Sequence, residues 1–111
     1  MVAMRRFSIA CCVVASTLGP VALGAEPDGA ALFEQYCIPC HGPDGHARTP
    51  AARKLGAKDL TASRLTDAEI AHQIAEGKKD AGGKERMPPF KPKLADPEIA
   101  ALVEFVKSLR K

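Results

Sequence analysis

Five residues, Cys37-Ile38-Pro39-Cys40-His41, constrain this chain of 111 residues more than any other stretch. C-x-x-C-H is the attachment signature of c-type haem. Two thiols three positions apart lie close along one helical turn, so both can add to haem vinyl groups as thioethers. The histidine that follows the second cysteine then sits under the iron, where an imidazole is a suitable proximal ligand. Two other readings of a cysteine pair compete with this one. Structural zinc wants four protein ligands, usually two such pairs, and beyond residue 25 the chain holds only Cys37 and Cys40. A redox dithiol of the thioredoxin kind expects a βαβ neighbourhood, and no strand-like run flanks the motif. The chain is therefore expected to fold around one haem c, attached through two thioethers.

The first 25 residues read as a cleaved secretory signal. Arg5 and Arg6 form a basic start, Phe7 to Leu18 is mostly apolar, and small residues lead to a processing point after Ala25 or Gly24. The apolar run is shorter than a membrane span of about 20 residues, and Gly19-Pro20 interrupts it, so no stable membrane insertion is expected after cleavage. Cys11 and Cys12 leave with the signal. Residues 26–111 then form the single domain. Chains of this size bury a modest core, which a covalently held haem would enlarge. Of the 16 basic side chains only Arg5 and Arg6 precede residue 26, and all 13 acidic ones lie beyond residue 25. The near-neutral remainder gives no case for a nucleic-acid partner. Its cations are uneven, however: Lys78, Lys79, Lys84, Arg86, Lys91 and Lys93 crowd one region against Asp80 and Glu85. Such a run is either a solvated loop or a docking face for an acidic redox partner.

Three helices and no strands are readable, which makes the fold class all-α. The first begins at Asp28 as N-cap and runs through Tyr36 into the cysteines. A Gly/Pro-rich turn follows at Gly42-Pro43-Asp44-Gly45. The polar stretch from His46 to Ser63 is expected to wrap the haem as a loop with short helical turns. The second helix carries a capping box at Thr66 and Glu69, an apolar edge at Ile70 and Ile74, and Gly77 as its stop. The third opens with Asp96 as N-cap and Pro97 at the first helical position. Ile99, Leu102, Val103, Val106 and Leu109 make its apolar stripe.

A haem iron has a second axial place. The only methionine beyond residue 25 is Met87, in Arg86-Met87-Pro88-Pro89-Phe90. The prolines fix φ and stiffen the loop, and a thioether sulfur favours ferrous iron and raises the reduction potential. The alternative is Met87 as core filler, for which a neighbouring arginine and two prolines are poor company. His72 lies beside the polar face of the second helix. His46 is too near His41 in sequence to reach the other haem face, and reads as solvent-exposed. With His41 and Met87 both on iron no place is left for a substrate, so the chain reads as an electron carrier rather than an enzyme.

With these residues in hand, the chain resembles class I c-type cytochromes, small monohaem carriers of the bacterial periplasm. Cys37-x-x-Cys40-His41-Gly42 is similar to the family's haem motif, and Met87-Pro88-Pro89-Phe90 to its sixth-ligand loop. Gly29 and Phe33 are similar to its first-helix pair, and Leu102 and Phe105 to its last-helix pair. The resemblance implies a cytochrome c-like fold in which the terminal helices cross, with glycine at the close approach. It also implies a soluble periplasmic electron carrier that exchanges electrons with redox partner proteins. The alternative is a haem-bearing subunit of a larger periplasmic dehydrogenase or terminal oxidase complex; a third reading, an enzyme or gas sensor, requires Met87 not to bind. One departure stands out. The family often has proline before an Asp/Asn-Leu step whose carbonyl receives the proximal imidazole N–H, and Ala57-Lys58-Asp59-Leu60 has lysine there. Either the Lys58 carbonyl accepts that bond or Pro50 serves instead.

Overall fold

A computed structural model describes residues 26–111, together with residue 10 and residues 12–15. Arg5, Arg6 and the processing point at Gly24 and Ala25 lie outside the described residues. The elements are α1 (Gly29–Tyr36), α2 (Ile38–His41), α3 (Pro50–Leu55), a 3₁₀ turn (Leu60–Ala62), α4 (Asp67–Glu76), β1 (Lys78–Lys79), β2 (Glu85–Met87) and α5 (Asp96–Ser108). The chain is mostly helical, and α1, α4 and α5 are the three expected helices.

Asp28 caps α1, accepting from Ala30 N–H at 3.0 Å and Ala31 N–H at 3.3 Å. The helix stops at Tyr36 rather than running through the cysteines. Pro39 explains the break: it has no N–H to offer the Gln35 carbonyl four residues back, and its ring would clash there. Cys37 forms the turn, and α2 restarts with Pro39 in its first two positions, where the missing donor costs nothing.

The capping box of α4 forms in both directions, with Glu69 N–H to Thr66 Oγ1 at 3.2 Å and Thr66 N–H to Glu69 Oε1 at 3.4 Å. The start of α5 differs from expectation. Its N-cap is Ala95, and Asp96 is already helical. Glu98 supplies the carboxylate instead, accepting from Ala95 N–H at 3.0 Å.

The short helical turns expected within residues 46–63 are α3, capped by Thr49, whose Oγ1 accepts from Ala52 N–H at 3.0 Å, and the 3₁₀ turn. The absence of strands does not hold: β1 and β2 form an antiparallel hairpin, pairing Lys78 with Met87 and Lys79 with Glu85 across an irregularity. Asp80 closes its turn, Oδ1 accepting from Gly82 and Lys84 N–H groups at 2.9 Å each.

The core gathers Phe33 of α1, Ile70 and Ile74 of α4, Phe90 and Leu94 of the following loop, and the α5 stripe Ile99, Leu102, Val103 and Val106. Phe33 and Leu102 are essentially fully buried, and each such side chain contributes about 1.5–3 kcal/mol of transfer free energy. Phe33 meets Phe105 with ring centroids 4.9 Å apart. Gly29 permits this approach, because a Cβ there would lie 2.3 Å from the Ala101 carbonyl oxygen. That atom belongs to helix backbone and has little freedom to move. Gly29→Ala is therefore expected to cost about 1–3 kcal/mol through overpacking, despite the better helix propensity of alanine; a urea melt reads it, and unchanged stability would mean that α1 and α5 slide apart freely. No described helix is long and apolar enough to cross a membrane.

Candidate functional site

A cavity of about 640 Å³ opens between these elements, lined by Cys37, Cys40, His41 and Met87 together with core side chains such as Phe33 and Leu102. The structure thus brings to one place the four residues that the sequence singled out. His72 is exposed on α4 and does not line the cavity. His46 is absent from the lining too. Contrary to expectation it is not solvent-exposed: its side chain is only 17% accessible, and its Nδ1 lies 3.1 Å from Asp59 Oδ2.

His41 stands at the end of α2. Its Nδ1 is 3.1 Å from the Lys58 carbonyl oxygen, so Lys58, not Pro50, is the acceptor. A carbonyl can only accept, so Nδ1 carries the ring proton and the Nε2 lone pair is free for a metal. Burial holds the His41 pKa below its ordinary value, opposed by the bond to Lys58. Burial thus favours the neutral imidazole, and the Lys58 bond fixes it in the metal-binding tautomer. α2 is itself anchored to the next helix, since Thr49 Oγ1 donates to the Cys40 carbonyl at 3.0 Å.

Cys37 is half-buried, and burial, reinforced by neighbouring Cys40, pushes its thiol up to about 11. Redox dithiols work through a depressed pKa and a ready thiolate, so this environment is wrong for the thioredoxin-like reading. Among the described residues no three His, Cys, Asp or Glu side chains cluster as metal ligands do, which leaves structural zinc without its ligand set.

Met87 reaches the cavity from β2. Three devices place it: the strand pairing with Lys78, the amides of Phe90 and Lys91 donating to the Ile74 and Ala75 carbonyls at 3.0 and 3.1 Å, and the tight passage at Gly77. At Gly77 φ is +70°, and a Cβ would sit 2.3 Å from the Met87 carbonyl oxygen. Gly77→Ala is expected to cost about 1–3 kcal/mol in a backbone region that suits glycine and to dislodge the Met87 loop. A thermal melt measures the first effect, and a shift in the absorption of the bound cofactor the second; neither changing would mean the turn yields without strain.

Gln73 was not anticipated. Its Nε2 lies 4.0 Å from Met87 Sδ, and it lines the cavity from α4. The signal was present: Gln73 falls at i+3 from Ile70 and beside Ile74, a polar residue inside an apolar edge. Arg86 also lines the cavity; its guanidinium is held by Asp80 at 3.0 Å and reaches the Lys54 carbonyl at 3.4 Å.

A small helical fold closed over an apolar cavity, with a C-x-x-C-H turn at its wall, defines a c-type cytochrome. The chain belongs to the cytochrome family described as cytochrome c oxidase, cbb3-type, subunit III, whose model matches residues 24–106. It is 35% identical over 98 residues to chloroplastic cytochrome c6 of Arabidopsis thaliana, covering 79% of this chain. The chain spans only 55% of that curated relative's length. Among solved structures it resembles the KustC0563 c-type cytochrome, with 38% identity and a TM-score of 0.67 over 76% of this chain and 99% of that one. It also resembles part of the Kuenenia stuttgartiensis reducing HAO-like protein complex Kustc0457/Kustc0458, with 25% identity and a TM-score of 0.60 over 74% of this chain and 41% of that one.

The cofactor of the chain is haem c, covalently bound. The cavity suits the group. Its volume lies within the range of about 300–1,000 Å³ typical of cofactor pockets. Its wall is mainly apolar, two thiols stand on adjacent turns, and one neutral imidazole presents an unprotonated nitrogen.

Proposed function

We propose that this chain is an exported, periplasmic, soluble carrier of single electrons, with Cys37 and Cys40 holding the haem through thioethers and His41 and Met87 ligating its iron. The observation that carries the reading is the convergence of Cys37, Cys40 and His41, from α2 and its N-cap, and Met87, from β2, on one cavity, with His41 Nδ1 committed to Lys58. Haem c supplies a one-electron ferrous/ferric couple when bound. The protein's own residues do the rest. Lys58 fixes the His41 tautomer and raises its basicity as a ligand. The hairpin and the two prolines after Met87 hold a weak thioether in place. Phe33, Leu102 and their neighbours exclude water, which keeps the change of charge from reorganising solvent.

The basic region supports a partner with an acidic docking surface. Lys78, Lys79, Lys84 and Lys93 are exposed, and among the described residues no carboxylate lies within ion-pair distance of them. Arg86 is committed to Asp80 at 3.0 Å and Lys91 stands 3.7 Å from Glu76, so the available patch is smaller than the sequence implied. A second reading, a haem-bearing subunit of a larger periplasmic dehydrogenase or terminal oxidase complex, draws on the family's description and on the likeness to a component of a complex. It uses the same residues, and co-purification in a stable assembly under gentle conditions would favour it.

The test is an optical spectrum of the exported protein, oxidised and reduced, followed by acid–organic extraction. Haem that resists extraction, with the weak far-red band of methionine-ligated ferric iron, is the expected result. Resistant haem without that band would remove Met87 from the iron. No haem, from a host able to attach it, would end the reading.

A further inference from the structure

The step from Ala57 to Leu60 has no proline, yet the Lys58 carbonyl is where His41 Nδ1 finds its acceptor. Something other than a pyrrolidine ring must hold that carbonyl. Asp59, the next residue, makes the relevant contacts. Its Oδ1 accepts from the Thr61 N–H at 2.9 Å and the Thr61 hydroxyl at 2.7 Å, and Thr61 is buried. Its Oδ2 accepts from His46 Nδ1 at 3.1 Å. The hydrogen bonds from Thr61, then that from His46, hold the Asp59 pKa down at about 2, so the carboxylate only accepts and His46 Nδ1 carries the proton.

The backbone ties the same two segments together. Leu60 N–H donates to the Gly45 carbonyl at 2.8 Å. His46 is itself fixed: its N–H donates to Asp44 Oδ1 at 3.0 Å. Ala47 follows in the left-handed region at φ 57°, and its N–H returns to the His41 carbonyl at 2.8 Å. A short circuit therefore runs from His41 through the turn to His46, across to Asp59, and back through Lys58 to the His41 ring.

We propose that His46 and Asp59 form a clasp that positions the Lys58 carbonyl against His41 Nδ1, in place of the proline usual at that step. Both are positioning residues, acting on the ligand through Lys58. The consequence is electronic. A firm Nδ1–H···O bond gives the imidazole more anionic character and makes it a better donor to ferric iron, so the clasp keeps the potential lower than it would otherwise be. This inference rests on the reading of His41 as the proximal ligand.

The experiment follows the His41 Nδ1 proton by NMR in the ferrous, haem-loaded protein, with the reduction potential measured in parallel. His46→Ala removes the donor and leaves Asp59 in place. It should speed exchange of that proton about 3- to 10-fold, the range expected when one hydrogen bond is weakened, and raise the potential. His46→Asn, whose amide nitrogen occupies the Nδ1 position, should stay close to the parent. Adding Lys58→Pro to His46→Ala should slow exchange again. If His46→Ala does not retain haem, Thr61→Val removes one donor to Asp59 at nearly constant volume and should shift the same two quantities in the same direction. Unchanged exchange and potential in a folded variant would overturn the clasp, as would a loss of thermal stability alone. A parent spectrum lacking strongly haem-shifted His41 ring signals is a different failure, removing the proximal assignment itself.

Discussion

Met87→Ala is expected to retain its covalent haem while its reduction potential falls on the order of 0.1 V or more, within the span of about 0.8 V that axial ligands command. The two effects separate because the groups responsible sit on different elements. Attachment depends on α2 and the Cys37 turn, whereas Met87 belongs to β2, and nothing in the hydrogen bonding of Cys37, Cys40 or His41 involves the hairpin. Truncation removes a soft sulfur that favours ferrous iron and frees Gln73 Nε2, now 4.0 Å from that sulfur, to hold water in its place. A water or hydroxide ligand prefers ferric iron, which adds to the drop. The variant should also bind carbon monoxide when reduced, whereas the parent should not. Redox titration and a carbon monoxide difference spectrum check both halves. An unchanged potential would sink the ligand assignment, and rapid carbon monoxide binding by the unmodified ferrous protein would favour an open distal site and a sensor or enzyme.

How much of this was legible beforehand depends on where the governing contacts lie along the chain. The capping box at Thr66 and Glu69, the apolar edge of α4 and the stripe of α5 are local patterns, each decided within a few residues, and sequence reading recovers them. The break after Tyr36 was local as well, since Pro39 cannot donate to the Gln35 carbonyl. It was missed because the cysteine spacing fits one continuous turn equally well. α3 had a signature too: Thr49 followed by Pro50, with Gly56 beyond Leu55 at φ +70° in the left-handed C-cap position. The polar character of the stretch let it read only as a loop with short helical turns, without bounds. The hairpin was harder to see. Lys78, Lys79, Glu85 and Arg86 show no apolar alternation, and only Gly82-Gly83 marked the turn. What pairs these strands is the Asp80 carboxylate, which satisfies the turn amides and Arg86 together. The Lys58 carbonyl and the His46–Asp59 contact were least accessible. They join segments more than ten residues apart through side chains with no periodicity, and only the folded chain brings them into register.

Cys40→Ala is expected to lose most of its haem on expression in a host that attaches c-type haem, and to lose its fold with it. One thioether would remain available at Cys37, but the second thiol stands beside His41 in α2, where its thioether would hold the haem close to the imidazole. The thermodynamic side is as important as the covalent one. The 640 Å³ cavity reaches into the core: Phe33, Ile70, Ile74, Leu102 and Val106 belong to the buried cluster and also line the cavity. Without haem those side chains lose contact partners on one face, and dispersion contacts that are individually about 0.1–0.2 kcal/mol are lost in large numbers. Small domains have net stabilities on the order of 5 kcal/mol, which such a loss can consume. Circular dichroism of the haem-free fraction should therefore show reduced helix and a broad thermal transition, while any haem-loaded fraction melts cooperatively. Pyridine haemochrome content per chain gives the loading. Normal loading would count against thioether attachment at Cys40, and a haem-free chain that keeps its full helix content would mean that the core stands without the group it surrounds.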